Sequence, residues 1–217
     1  MKLFTLMIAF AAAALMLPLS TVADTVDPLL GAPFALRERP SFGETNAPVV
    51  VIEARSFRCQ HCRQFQKSIF PTLKAEYIDT GKLRWVMLDL PEDPEKDESR
   101  FTAYARAGLR SGQYAAVEEI LVENGRKPAY RLDSLLRSRD SVDFPALEAA
   151  LDSAALQAEL AADLAEGQQL GLKTLPTFIL RKRQPDGTFL EARIDGVGDL
   201  AYFRHVLDAA LKTEGAQ

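Results

Sequence analysis

Apolar and polar positions change period several times along this chain, and each change marks an expected element. Pro48 to Ala54 is β-branched and nearly continuous in apolar residues, the pattern of a strand covered on both faces in a parallel or mixed sheet. After Ser56-Phe57-Arg58 the period becomes helical from near Cys59, with Phe65, Ile69, Leu73 and Tyr77 at steps of four on one stripe. Pro71 lies inside that stripe and should kink the helix, because it lacks an amide hydrogen and its ring crowds the preceding turn. Gly81 should close it, and Leu83 to Leu88 reads as a second strand. From Pro91 to about Gly171 nothing reads as strand. Helical stripes run through Phe101, Tyr104, Ala105 and Leu109 to Gly112, and through Val117, Ile120 and Leu121 to Asn124-Gly125. Others run through Leu132, Leu135 and Leu136, through Leu147 and Leu151 after an Asp143-Phe144-Pro145 start, and through Leu156, Leu160 and Leu164. A strand returns at Pro176 to Leu180, Gln184 to Gly187 supplies a turn, and Phe189 to Ile194 a hairpin partner. Leu200, Phe203, Leu207, Ala210 and Leu211 share one face of a last helix. The order is that of an α/β protein with something inserted into it.

The N-terminal residues bear on compartment. Met1-Lys2 is a short positive start, Leu3 to Leu17 is apolar, and Thr21-Val22-Ala23 ends in small residues, which reads as a signal peptide over 1–23 cleaved before Asp24. A membrane anchor is the alternative, but an apolar run of about 15 residues falls short of the ~20 a spanning helix needs. The expected location is extracytoplasmic, with the periplasm as its bacterial form, where disulfides persist. Residues 24–47 carry Pro28, Gly31, Pro33, Pro40 and Gly43 and read as an extended lead-in with room for a short edge strand. Losing the leader removes Lys2 and no acid, moving the formal charge from −4 to −5. A mildly acidic chain with interspersed charges argues against nucleic acid as partner.

The only two cysteines stand three residues apart in Cys59-Gln60-His61-Cys62. A bridge of that span closes almost no loop, so it adds little stability by restraining the unfolded chain. Three chemistries fit: a redox dithiol, half of a metal site, or an incidental structural pair. Zinc ordinarily takes four ligands, and only two histidines, His61 and His205, stand elsewhere in the chain. His205 falls off the apolar face of its helix, so no metal site is expected. A strand before the pair and a helix after it favour the dithiol.

Cys59 at a helix start would meet unsatisfied amide hydrogens and the positive end of the helix dipole, both of which favour a thiolate. Cys62 lies one turn further on the same side. Cys59 is therefore expected to be the exposed attacking sulfur and Cys62 the resolving one. Arg58, His61 and Arg63 add positive potential that would stabilise the reduced form and make the disulfide oxidising; solvated surface arginines are the plainer reading of Arg58 and Arg63. Glu53 interrupts an apolar strand six residues before Cys59. A buried acid there should hold its proton more tightly than usual; a sheet edge facing water would remove that effect.

Val51 to Phe65 (Val-Ile-Glu-Ala-Arg-Ser-Phe-Arg-Cys-Gln-His-Cys-Arg-Gln-Phe) resembles the active-site segment of the DsbA family of bacterial thiol-disulfide oxidoreductases. Leu175-Pro176-Thr177-Phe178 resembles that family's cis-proline loop, and the helical block stands where the family inserts a helical domain. The likeness runs from about Pro48 to Leu211, and Phe70 to Gly81 is similar to relatives whose first active-site helix is kinked. It implies a thioredoxin-like domain over 48–90 and 172–212, with a helical insertion over 91–171. It also implies catalysis by Cys59 and Cys62 with His61 beside them, and Glu53 assisting proton transfer at Cys62. Leu175, before a cis Pro176, would pair with an extended substrate segment. Implied besides are secreted client proteins, a DsbB-type membrane quinone reductase as reoxidant, no organic cofactor and a monomer. Gln60 departs from the proline found there in the best-known oxidases, and with Arg58 and Arg63 it would tune the potential. A disulfide reductase or isomerase of the same fold, and a non-enzymatic soft-metal-binding module, are the competing functions.

Overall fold

The computed structural model describes residues 39–91 and 99–212. The leader expected over 1–23 and the lead-in up to residue 38 lie outside the described residues. Five strands form one mixed sheet: β1 (Ser41–Phe42), β2 (Val49–Arg55), β3 (Leu83–Asp89), β4 (Thr177–Arg183) and β5 (Phe189–Asp195), in the order β1-β3-β2-β4-β5. The β-branched run is the central strand. β2 lies parallel to β3, with Val51 opposite Trp85, and antiparallel to β4, with Val51 opposite Leu180, and all its residues are buried. The lead-in does carry an edge strand, β1, antiparallel to β3. β4 continues three residues beyond the expected Leu180 because its hairpin with β5 pairs through to Arg183–Phe189.

Alternation along the strands divides the core into two layers. Val49, Val51, Trp85, Met87, Phe178 and Leu180 face α1 (Gln60–Ser68) and α8 (Leu200–Lys212). Phe65 of α1 stands in the middle of that layer, its ring 4.7 Å from Phe178, 5.1 Å from Phe203 and 6.0 Å from Trp85. On the other face Val50, Ile52, Ala54, Val86, Leu88 and Ile179 meet Leu170, Leu172 and Leu175. Pro71 acts as its covalent geometry requires: α1 stops at Ser68, α2 (Phe70–Leu73) restarts with the proline in its first turn, and a π-helical turn follows over Lys74–Ile78.

Between β3 and β4 the described residues form α3 (Ser99–Arg110), α4 (Tyr114–Asn124), α5 (Leu132–Arg137), α6 (Phe144–Leu151) and α7 (Ala154–Gln169). Phe101, Tyr104, Val117, Leu121, Leu132, Leu136, Leu147 and Leu156 make a separate core, into which Phe57 inserts from the β2–α1 loop. Asp143 caps α6, accepting from the Ala146 N–H at 3.2 Å. α7 departs from its expected apolar stripe. Leu156 is buried, but Leu160 and Leu164 are only half-buried, and the deepest residues of its second half are Asp163, Glu166 and Gly167. Arg39 donates to Asp163 at 2.9 Å and also pairs with Glu166, while Arg106 of α3 pairs with Asp163. Two guanidinium groups from other elements supply the counter-charge that burial of these acids demands.

Candidate active site

The β2–α1 junction places the dithiol. Cys59 is the N-cap of α1: its backbone is extended, and its Sγ accepts the Cys62 N–H at 3.4 Å. That contact is the one a serine or aspartate cap oxygen makes, so charge on this sulfur is favoured by the first turn's amides and by the helix dipole. On its other side the Cys59 thiol donates to the carbonyl of Leu175 at 3.4 Å. The Leu175–Pro176 peptide bond is cis, as the resemblance implied. This packing corrects one expectation. Cys59 is only 4% exposed, because the helix start and the Leu175 carbonyl enclose the sulfur from two sides. Cys62 is buried as well, and its thiol is pushed far above the ordinary thiol range, first by burial and then by its hydrogen bond to Cys59.

Glu53 lies beneath α1 and not at a sheet edge. It is fully buried in the central strand, on the face that carries Val49 and Val51. Gln66, one turn beyond Cys62, donates its amide to both carboxylate oxygens at 2.9 Å, and the Trp85 indole N–H donates to Oε2 at 2.8 Å. Burial raises the Glu53 pKa to about 7, against the opposing pull of Arg55 and of those two donors. Its charge is felt at Cys62. An acid that titrates near neutrality is thus electrostatically coupled to the resolving sulfur.

Sequence reasoning passed over Arg55, Gln66 and Trp85. Arg55 ends β2 and is buried, donating Nε to Asp89 at 2.7 Å, Nη1 to Glu118 at 2.9 Å and Nη2 to the Tyr114 hydroxyl at 2.8 Å, with its guanidinium 4.9 Å from the Phe57 ring centre. Burial opposes its charge, but the Tyr114 hydroxyl and the Asp89 and Glu118 carboxylates beside it hold its pKa well above the usual arginine value. A charged residue ending a continuous apolar strand was the available signal, the same signal that singled out Glu53.

Arg63 is buried and Arg58 half-buried. Arg58 donates to the carbonyls of Gly125 at 3.1 Å and Lys127 at 2.7 Å and stands 5.6 Å from the Phe101 ring centre. Arg63, 8% exposed, donates to the carbonyls of Phe57 at 2.9 Å and of Arg58. Arg58 therefore clamps the Cys59 loop to the end of α4, and Arg63 ties that loop back onto α1. The approach there is so close that a β-carbon on Gly125 would lie 2.0 Å from the Phe57 carbonyl oxygen. Gln60 and His61 are exposed on the first turn, and His205 is exposed on α8, remote in sequence and in contacts. No three His, Cys, Asp or Glu side chains cluster as a metal site among the described residues.

The family model described as Thioredoxin matches residues 36–194. A "probable disulfide bond formation protein D" of Bacillus cereus is 40% identical over 58 residues, 27% of this chain and 27% of that protein. The chain thus spans about a quarter of the length of this curated relative. Among solved structures, Wolbachia pipientis alpha-DsbA1 aligns with a TM-score of 0.68 at 21% identity, covering 86% of this chain and 96% of that one. Bacillus subtilis BdbD, in its oxidised form, aligns at 0.62 and 20% identity over 80% and 93%. The two structures share the fold: a mixed sheet with helices inserted between β3 and β4. With the family model spanning most of the chain and the Cys-Gln-His-Cys pair at the start of α1, the chain belongs to the thioredoxin family.

Proposed function

We propose that the protein is an extracytoplasmic dithiol-disulfide oxidoreductase that oxidises client proteins through Cys59 and Cys62. The observation that carries this reading is the Cys59 sulfur capping α1 against the Leu175 carbonyl of the cis-proline loop. A client thiolate attacks Cys59 Sγ of the Cys59–Cys62 disulfide, the S–S bond breaks, and Cys62 leaves as a thiolate. Cys62 then takes a proton, for which Glu53, beneath the same helix face, is the acid. A second client thiolate attacks the client sulfur of the mixed disulfide, and Cys59 leaves as the thiolate that its helix-capping position favours. The client loses two electrons and the cysteine pair gains them, so no organic cofactor takes part. Leu175 pairs with an extended client backbone beside Cys59, and His61, Gln60, Arg58 and Arg63 set the potential around it.

Residues 48–90 and 172–212 act as the thioredoxin-like unit and 91–171 as its helical insertion. The leader read over 1–23 directs export, and a DsbB-type membrane quinone reductase reoxidises the monomeric protein. No helix among the described residues is long and apolar enough to cross a membrane. Cys59→Ala should abolish oxidation of a reduced client, and Cys62→Ala should accumulate mixed disulfides; full activity without Cys59 removes the proposal. The reduction potential against glutathione decides direction: a value near about −120 mV supports an oxidase, and one near about −270 mV a reductase.

A further inference from the structure

A groove of about 440 Å³ opens beside Gln60, the residue that follows Cys59. Gln60, Arg63, Gln64 and Lys67, neighbours along one stripe of α1, form one wall, and Glu123 and Arg126 at the end of α4 form the other. Gln60 directly follows Cys59, so a client cysteine attacking Cys59 brings its own neighbours to this groove. The lining is cationic on a chain whose formal charge is −4. Three cations, Arg63, Lys67 and Arg126, face one carboxylate, Glu123, which already has Arg139 at 3.5 Å. Lys67 and Arg126 form no ion pair among the described residues. Arg63 is more than nine-tenths buried and donates to two carbonyls, those of Phe57 and Arg58. A buried guanidinium without a counter-ion is unfavourable, and burial together with repulsion from Arg126 pulls its pKa down. The clamp of Arg58 on the Gly125 and Lys127 carbonyls fixes the two walls relative to one another.

We infer that this groove is a client subsite for acidic polypeptide, receiving Asp or Glu side chains that flank the client's reacting cysteine between Arg63, Lys67 and Arg126. The inference rests on the oxidoreductase reading and adds to it a substrate class. Complementary charge at such a site acts mainly on the rate of encounter and is weakened by salt.

The test uses the reduced protein and two peptides with one cysteine each, identical except for glutamates or lysines flanking it, both activated as pyridyl disulfides. Pyridinethione release reads attack by Cys59, and the pyridyl disulfide of mercaptoethanol serves as a neutral reference. The acidic peptide should react about 3- to 10-fold faster than the basic one at low salt, with the ratio collapsing toward one at about 0.5 M salt. In the double variant Lys67→Glu, Arg126→Glu, both exposed positions, the ratio should fall below one. Equal rates for the two peptides with the unchanged protein, or a ratio that the double variant leaves intact, would overturn the inference. Failure to react with the neutral reference would instead count against the oxidoreductase reading, so the two failures are distinguishable.

Discussion

Glu53→Gln separates the chemistry of the site from its packing. The carboxyl is fully buried, its pKa moves from an ordinary 4.5 to about 7, and burial is the principal cause. At about 1.36 kcal/mol for each tenfold change in acid strength, that displacement corresponds to about 3 kcal/mol. The unfolded chain releases this proton near 4.5 and the folded protein holds it until about 7. Within that window the folded state binds more protons, so this carboxyl's contribution is present at low pH and is lost as pH rises. Glutamine keeps the shape and, after a flip of the Gln66 amide, can still accept from Trp85 and bond to Gln66. Urea unfolding of the reduced wild type and of Glu53→Gln between about pH 5 and pH 8 should therefore show the wild type losing about 2–3 kcal/mol relative to the variant across the range. The variant should also lose an inflection near neutrality in the rate at which Cys62 leaves. A stability difference that stays flat to within about 0.5 kcal/mol would refute a carboxyl titrating near 7 in the fold.

Other substitutions test the surrounding packing. Gly125→Ala forces a β-carbon against the Phe57 carbonyl and should cost about 1–3 kcal/mol in unfolding experiments, with slower thiol exchange because the Cys59 loop must shift; an unchanged melting temperature would contradict the close approach. Arg55→Met leaves Asp89 and Glu118 buried or half-buried without their cation and should cost about 3–5 kcal/mol. Adding Asp89→Asn should recover part of that loss, whereas strictly additive effects would show that the pair does not interact. Phe65→Ala empties the middle of the aromatic layer and should cost about 3–5 kcal/mol by calorimetry or denaturant titration.

Local chain physics made much of this protein legible in its sequence. A nearly continuous β-branched run carried the pattern of a doubly covered strand, and β2 is the centre of the sheet. Pro71 could not continue a helix, and α1 breaks one residue after Ser68. Glycines at 81 and 112 adopt positive φ where helices had to end, and Asp143 before Phe144-Pro145 is a cap by its own chemistry. The two cysteines, with Glu53 interrupting an apolar strand, marked the site because spacing and polarity are properties of the chain itself. Contacts between distant segments were decided only by tertiary structure. The pairing of Asp163 and Glu166 with Arg39 and Arg106 inverted the expected apolar face of α7. Arg58 turned to the Gly125 and Lys127 carbonyls once the end of α4 came against the Cys59 loop. The Leu175 carbonyl, 116 residues from Cys59, covered a sulfur that periodicity alone would leave open. Burial and electrostatic partnership depend on what arrives from elsewhere in the chain, and neither propensity nor spacing encodes that arrival.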